Sequence, residues 1–245
     1  MTDAVSLGPI RSIPGRACFG PGRIRHRLTA LGIWLQAVDP PLAAPLVVIC
    51  SVASQALTFP RIWSTIDFSH LRPFLVGGLI GVPIGVWLLG EVDPRAFKLA
   101  IGLFLIIYST VMLFGNYAPQ ILWGGDVADG MIGLGGGILG GLAGLSGPLP
   151  TMWAAVRGWN KKIRRAIFQG FNFPILCGAL VIYALYGFLN AEVWRLALIA
   201  LPGTLVGAWI GSEIYRRASD VGFHRMVLCI LALSGVTLLM TTGFG

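Results

Sequence analysis

The chain has 245 residues, of which 56% are hydrophobic and only 11% charged. Soluble domains carry about 25% charged residues, so this composition describes an integral membrane protein built from helical spans. The net charge of +8 does not point to a nucleic-acid partner, because the basic residues lie mostly between apolar segments, where they orient a chain in a bilayer.

Residues 1–27 differ from the rest. They hold Arg11, Arg16, Arg23, Arg25, Arg27 and His26, interspersed with Pro9, Pro14 and Pro21. No apolar run there reaches spanning length, and the apolar core of a signal peptide is absent. This atypical basic segment reads as a tail outside the bilayer.

Apolar segments follow at 28–38, 42–59, 73–90, 96–115, 130–157, 165–187, 193–211 and 222–240. That gives about seven to eight hydrophobic segments, several long enough for a core of about 30 Å. Segment 28–38 reaches only about half-way at 1.5 Å per residue. The expected fold is therefore an all-α polytopic membrane protein with two repeated halves and a Gly/Pro-broken helix at 130–157. The first repeat is placed at 28–115, a linker at 116–129 and the second repeat at 130–245.

The repeat is legible in residues. Gly81-Val82-Pro83-Ile84-Gly85-Val86-Trp87, followed by Glu91, matches Gly203-Thr204-Leu205-Val206-Gly207-Ala208-Trp209, followed by Glu213, at a shift of 203 − 81 = 122. The run from Phe97 resembles the run from Phe223 once four residues are inserted in the second copy. Paired halves are a common transporter plan.

Within the broken segment, glycines fall at 130, 133, 135, 136, 137, 140, 141, 144 and 147, and prolines at 148 and 150. Each glycine costs up to about 1 kcal/mol against alanine inside a helix, and each proline removes a donor. Two short helices are predicted, at 130–143 and 150–157, joined by Leu145-Ser146-Gly147-Pro148. Irregular backbone at membrane depth is tolerated where protein covers it or where it lines a cavity. A half-helix N-terminus there would aim N–H groups at an anion. The ordinary reading of the glycines is helix packing through the pairs Gly137/Gly141 and Gly140/Gly144.

Loop charges orient the second half. Arg157, Lys161, Lys162, Arg164 and Arg165 precede one span and Arg216, Arg217 and Arg225 follow the next, so both loops are expected in the cytoplasm and Gly245 outside. Upstream the rule is balanced. If 130–157 crosses, Arg95 and Lys98 are inside and Arg61 and Arg72 outside; if it is a re-entrant hairpin, the pairs exchange. Pro148 and Pro150 favour the hairpin.

The run from Gly135 to Phe173, with the glycine–tryptophan repeat at 81–87 and 203–209, resembles the TauE/SafE family of sulfite exporters. The resemblance covers about 30–240. It implies a secondary transporter in the cell membrane, the bacterial inner membrane, that moves sulfite or an organosulfonate, with export expected. The start departs from the family pattern. The counterpart of 135–147 falls near 14–26, where Arg23 and Arg25 stand in place of Gly144 and Ser146. Arginines at mid-membrane cost at least about 2.5–3.5 kcal/mol each, so residues 1–27 are not expected to form an embedded copy of the glycine-rich element.

All ten carboxylates fall in the tail or at segment ends, which argues against a cation pump with a buried acidic relay and suits an anion path. The expected substrate-binding residues are neutral: Ser146 and Gly147 at the break, Thr151 at the start of the second half-helix, and Gln169 and Asn172 in the next span. Asn172 maps by a shift of 121 onto Ser51, and Gln55 lies one turn beyond Ser51 on the same face. The ordinary reading of each is an interhelical hydrogen bond. Arg157, Arg164 and Arg165 read as topology determinants before anion attractors.

Three other classes match parts of the sequence. Gly144-Leu145-Ser146-Gly147 has the GxSG form of an intramembrane serine protease, but no buried histidine base accompanies it, so no catalytic residue is assigned. Gly135 to Gly140 fits GxGxxG without a preceding strand, and a dinucleotide site is rejected. A non-transporting membrane scaffold draws support from the altered first half. Cys18, Cys50, Cys177 and Cys229 have no metal-ligand spacing and the three histidines are scattered, so no metal or cofactor is expected. The expected partners are a small anion and the lipid bilayer; a homo-oligomer is compatible with the sequence but not specified by it.

Overall fold

The computed structural model describes residues 40–56, 68–114, 124–159, 161–217 and 220–243. The described residues are all helical apart from short turns. In chain order the helices are α1 (Pro40–Ala56), α2 (Phe68–Glu91), α3 (Pro94–Phe114), α4 (Gly125–Ala143), α5 (Pro148–Val156), α6 (Lys161–Leu185), α7 (Ala191–Arg217) and α8 (Asp220–Gly243). The expected short segment 28–38 and the basic segment 1–27 lie outside the described residues.

Local chemistry sets many helix ends. Proline opens α1, α3 and α5, where its missing N–H has no intrahelical partner to lose. The Asp93 carboxylate caps α3, accepting from the backbone N–H of Arg95 at 2.9 Å and of Ala96 at 3.1 Å. Asn190 does the same for α7, accepting from the Val193 N–H at 2.9 Å. Pro45, Pro83, Pro174 and Pro202 lie inside helices; neighbouring helices can absorb such breaks in a bilayer.

Three helical stretches, Phe68–Glu91, Pro94–Leu113 and Ala166–Leu185, are long and apolar enough to cross a membrane, and Pro40–Ala56 and Leu228–Thr242 are shorter apolar helices. Large apolar side chains point outward along them, among them Ile80, Trp87, Leu103, Val181 and Leu233, and Leu198 does the same on α7. In water such a surface would be a liability; against lipid it is the expected exterior.

Among the described residues the interior has two apolar clusters. The larger is built around Phe74, Phe97, Leu105, Phe171 and Tyr183, and a smaller one joins Leu46, Ile49 and Cys50 of α1 to Val193 and Ala197 of α7. Helix pairs recur under the 122-residue shift: α2 packs on α6 as α7 packs on α1, while α3 pairs with its counterpart α8 and α1 with its counterpart α6.

The tightest pairing is α2 against α4, and glycine makes it. Gly77, Gly81 and Gly85 face Gly133, Gly137 and Gly141, each set spaced by four residues. A Cβ built at Gly77, Gly81 or Gly85 would lie 2.0, 2.2 or 2.1 Å from the carbonyl oxygen of Gly130, Leu134 or Ile138. From the other side, Gly133, Gly137 and Gly141 stand against the carbonyls of Phe74, Gly78 and Val82. The two backbones touch without intervening side chains, the small-residue packing of membrane helices. The packing reading of Gly137/Gly141 therefore holds. Gly140/Gly144 is different: Gly140 faces Ser146 and Ile175, and Gly144 ends α4 in the left-handed region at φ 69°, against Val47 and Val48. The repeat-related Gly203 and Gly207 of α7 have no described atom within 4 Å.

Candidate functional site

The broken segment is a hairpin. α4 runs five residues earlier than predicted, from Gly125, into the expected linker, and stops at the Gly144 cap, where the Leu145 N–H reaches back to the Leu139 carbonyl at 3.1 Å. Ser146 then lies beside Gly136 and Gly140, Leu149 beside Gly135, and Trp153 beside Gly124. The chain thus folds back along the helix it has just left. At the open end Asp129, one turn into α4, meets Arg157, the residue that caps the C-terminus of α5, at 2.8 Å. Both ends of the element therefore lie close together.

At the tip, three of the predicted residues converge from three parts of the chain. The Ser146 hydroxyl donates to Oδ1 of Asn172 on α6. Asn172 Nδ2 donates to Oε1 of Gln55 on α1 at 3.0 Å. Their exposures are 0%, 1% and 7%, so the chain of polar groups is embedded in the bundle. Ser51 is buried one turn before Gln55, with its carbonyl accepting from Ser54 Oγ at 3.0 Å. Gln169 lies one turn before Asn172, and its Oε1 is buried without a hydrogen-bond partner. Buried polar atoms normally find partners, and this oxygen is an exception.

Two predicted residues do other work. Thr151 Oγ1 donates to the Gly147 carbonyl at 2.7 Å, within the first turn of its own helix. Gly147 has an ordinary φ of −77°, and its missing side chain makes room for Phe168, whose Cε2 would lie 2.1 Å from a Cβ. The missing side chain is what lets the Phe168 ring pack against the break. The half-helix is also a poorer anion cradle than expected, because Pro148 and Pro150 remove two of its first three N–H groups.

The open end of the hairpin holds a pair that no sequence motif marks. Asp129 is 4% exposed. Its Oδ1 accepts from Arg157 at 2.8 Å and from Trp153 Nε1 at 2.7 Å. Arg157 was expected to set topology; here its charge is held by a buried carboxylate. The usable signal was the hairpin itself, which brings residues on either side of the break together.

Residues 28–238 match the family described as Sulfite exporter TauE/SafE. The chain belongs to that family. As a TauE/SafE protein it is a membrane transporter, not an enzyme, and the GxSG resemblance to a protease falls away: the partner of Ser146 is an amide, which cannot take its proton. This TauE/SafE chain is 27% identical over 230 residues to the "Probable sulfite/organosulfonate exporter TauE" of Cupriavidus necator, covering 91% of this chain and 86% of that protein. It is 21% identical over 202 residues to the "Probable inner membrane transporter protein TsaS" of Comamonas testosteroni, covering 79% and 81%. No solved structure matches it.

Proposed function

We propose that this TauE/SafE protein exports a small sulfur oxyanion, sulfite or an organosulfonate, across the bacterial inner membrane. Its substrate would pass the hairpin tip at Ser146, Asn172 and Gln55, with Ser51 and Gln169 flanking. The observation that carries this reading is the convergence of those three buried side chains at a backbone break inside the bundle. The available donors are a hydroxyl and primary amides. They can hold an oxyanion without a full counter-charge, weakly enough to let it leave again. The family's description and the name of the Cupriavidus necator relative support the substrate class and the direction.

The hairpin also supports a division into halves at 28–115 and 130–245. If α4 and α5 together make no crossing, three crossings, α1 to α3, separate α1 from its counterpart α6. An odd number gives the halves opposite orientation, the inverted repeat of many secondary transporters. Lys161 and Lys162 then face the cytoplasm together with Arg61 and Arg72, while Arg95 and Lys98 lie outside.

Counterflow of labelled sulfite and of a short organosulfonate into proteoliposomes tests the assignment. Ser146→Ala and Asn172→Leu are each expected to cut the initial rate at least roughly ten-fold, the loss of about 1.4 kcal/mol of binding. No counterflow with either substrate, or full activity in both variants, would refute it. The first outcome would favour the scaffold reading.

A further inference from the structure

α5 has little of its own to hold it in place. It is nine residues long, lacks a side-chain N-cap hydrogen bond, and buries only Pro148, Pro150 and Ala154 among its residues. A helix that short is not stable on intrinsic propensity. Something must fix it, because Ser146 immediately precedes its N-cap, Gly147.

Two attachments stand out. One is the tip, through Ser146 and Asn172. The other is the open end, where a single oxygen, Asp129 Oδ1, receives both the Trp153 indole N–H at 2.7 Å and the Arg157 guanidinium at 2.8 Å. Trp153 and Arg157 are four residues apart, on one face of α5. The guanidinium carbon lies 5.9 Å from the Trp153 ring and 5.0 Å from the Trp159 ring. Trp159 in turn stands edge-on to His70 and Phe74 of α2, at 5.6 and 6.3 Å. The side chains of Asp129 and Arg157 are 6% and 16% exposed, so water screens the pair little.

We propose that Asp129, Trp153 and Arg157 form a clasp that positions the transport site. It closes the open end of the hairpin and so holds Ser146 against Asn172. They are positioning residues: none lies at the tip, and each acts through the placement of α5. The geometry makes α5 a short rod pinned at both ends. Releasing the clasp frees the rod to pivot about its tip contact and opens the site toward the side where the hairpin begins. The proposal rests on reading Ser146 as part of the transport site, but its test does not.

The test follows the accessibility of residue 146. Ser146→Cys protein in nanodiscs is treated with N-ethylmaleimide, and labelling at that peptide is timed by mass spectrometry. The parent should label slowly, since Ser146 is 0% exposed. Adding Arg157→Gln leaves a buried carboxylate without its cation, and labelling should accelerate roughly ten-fold or more. Adding Asp129→Asn to that variant removes the orphaned charge and keeps an acceptor for Trp153, so the rate should return to within roughly three-fold of the parent. If Arg157→Gln does not accumulate in the membrane, Asp129→Asn alone should accelerate labelling in its place. An unchanged rate in the single variant, or a double variant as fast as the single, overturns the clasp. Sulfite counterflow is measured separately with Ser146→Ala. If that variant transports normally while the labelling pattern holds, the site assignment has failed and the clasp has not.

Discussion

Gly81→Ala and Gly203→Ala make the same change at repeat-related positions, and the structure gives them opposite signs. A methyl at Gly81 would stand 2.2 Å from the Leu134 carbonyl oxygen and 2.8 Å from the Ile138 nitrogen. Ordinary contact begins at 3.4 Å, so α4 would have to withdraw by about 1.2 Å (3.4 − 2.2). Both atoms are backbone inside a helix and cannot swing aside. Overpacking costs about 1–3 kcal/mol, and with no rotamer to relieve it the upper end applies, about 3 kcal/mol. For a chain of this size that is a fall of roughly 6–12 °C in Tm. Gly203 has no described atom within 4 Å, so alanine there gains up to about 1 kcal/mol of helix propensity. The two variants should differ by about 4 kcal/mol, nearly three orders of magnitude in the folded-to-unfolded ratio. Thermal denaturation in detergent, read by loss of the monodisperse peak, makes the comparison. A Gly81→Ala midpoint equal to wild type would refute the backbone seam. A Gly203→Ala midpoint that fell with it would refute the open face on α7.

Gly147→Ala should slow sulfite counterflow because its methyl would meet the Phe168 ring, and Phe168→Leu should restore part of the rate; failure of the second change to help would remove Phe168 as the cause. Ser146→Ala should cost about 0.5–1.5 kcal/mol of stability by removing its hydrogen bond to the buried Asn172 amide, whereas Ser146→Ala with Asn172→Leu should cost less than the two single losses together in the same denaturation. A cysteine placed after Thr242 should react with an impermeant reagent on intact cells, and a cysteine at Asp126 only after lysis. Labelling of both from outside would show that the broken segment crosses.

Much of the fold was legible because the signals were long-period ones. Apolar segments predicted at 73–90 and 96–115 became α2 and α3 within a few residues, and the break predicted at 145–148 lies at 144–147. The convergence of Ser146, Asn172 and Gln55 followed from two cues, a backbone interruption and the repeat shift that links Asn172 to α1. What escaped depended on which atoms fill a space. Nothing in the sequence says that Phe168 occupies the notch at Gly147, or that Thr151 turns its hydroxyl back on its own helix. Asp129 and Arg157 stood at segment ends, where charge usually meets water. Only the fold-back of the hairpin makes them a buried pair.

The seam between α2 and α4 has a mechanical consequence. One helix comes from each of the halves proposed above, and their backbones meet with no side chains between them. A contact without rotamers has few alternative packings, so it cannot slide by exchanging one set of side-chain conformations for another. The two helices should therefore travel as a single stiff plate. Whatever alternates between the two faces of the membrane must hinge around that plate, and the halves are not free to rock apart along the line where the sequence divides them.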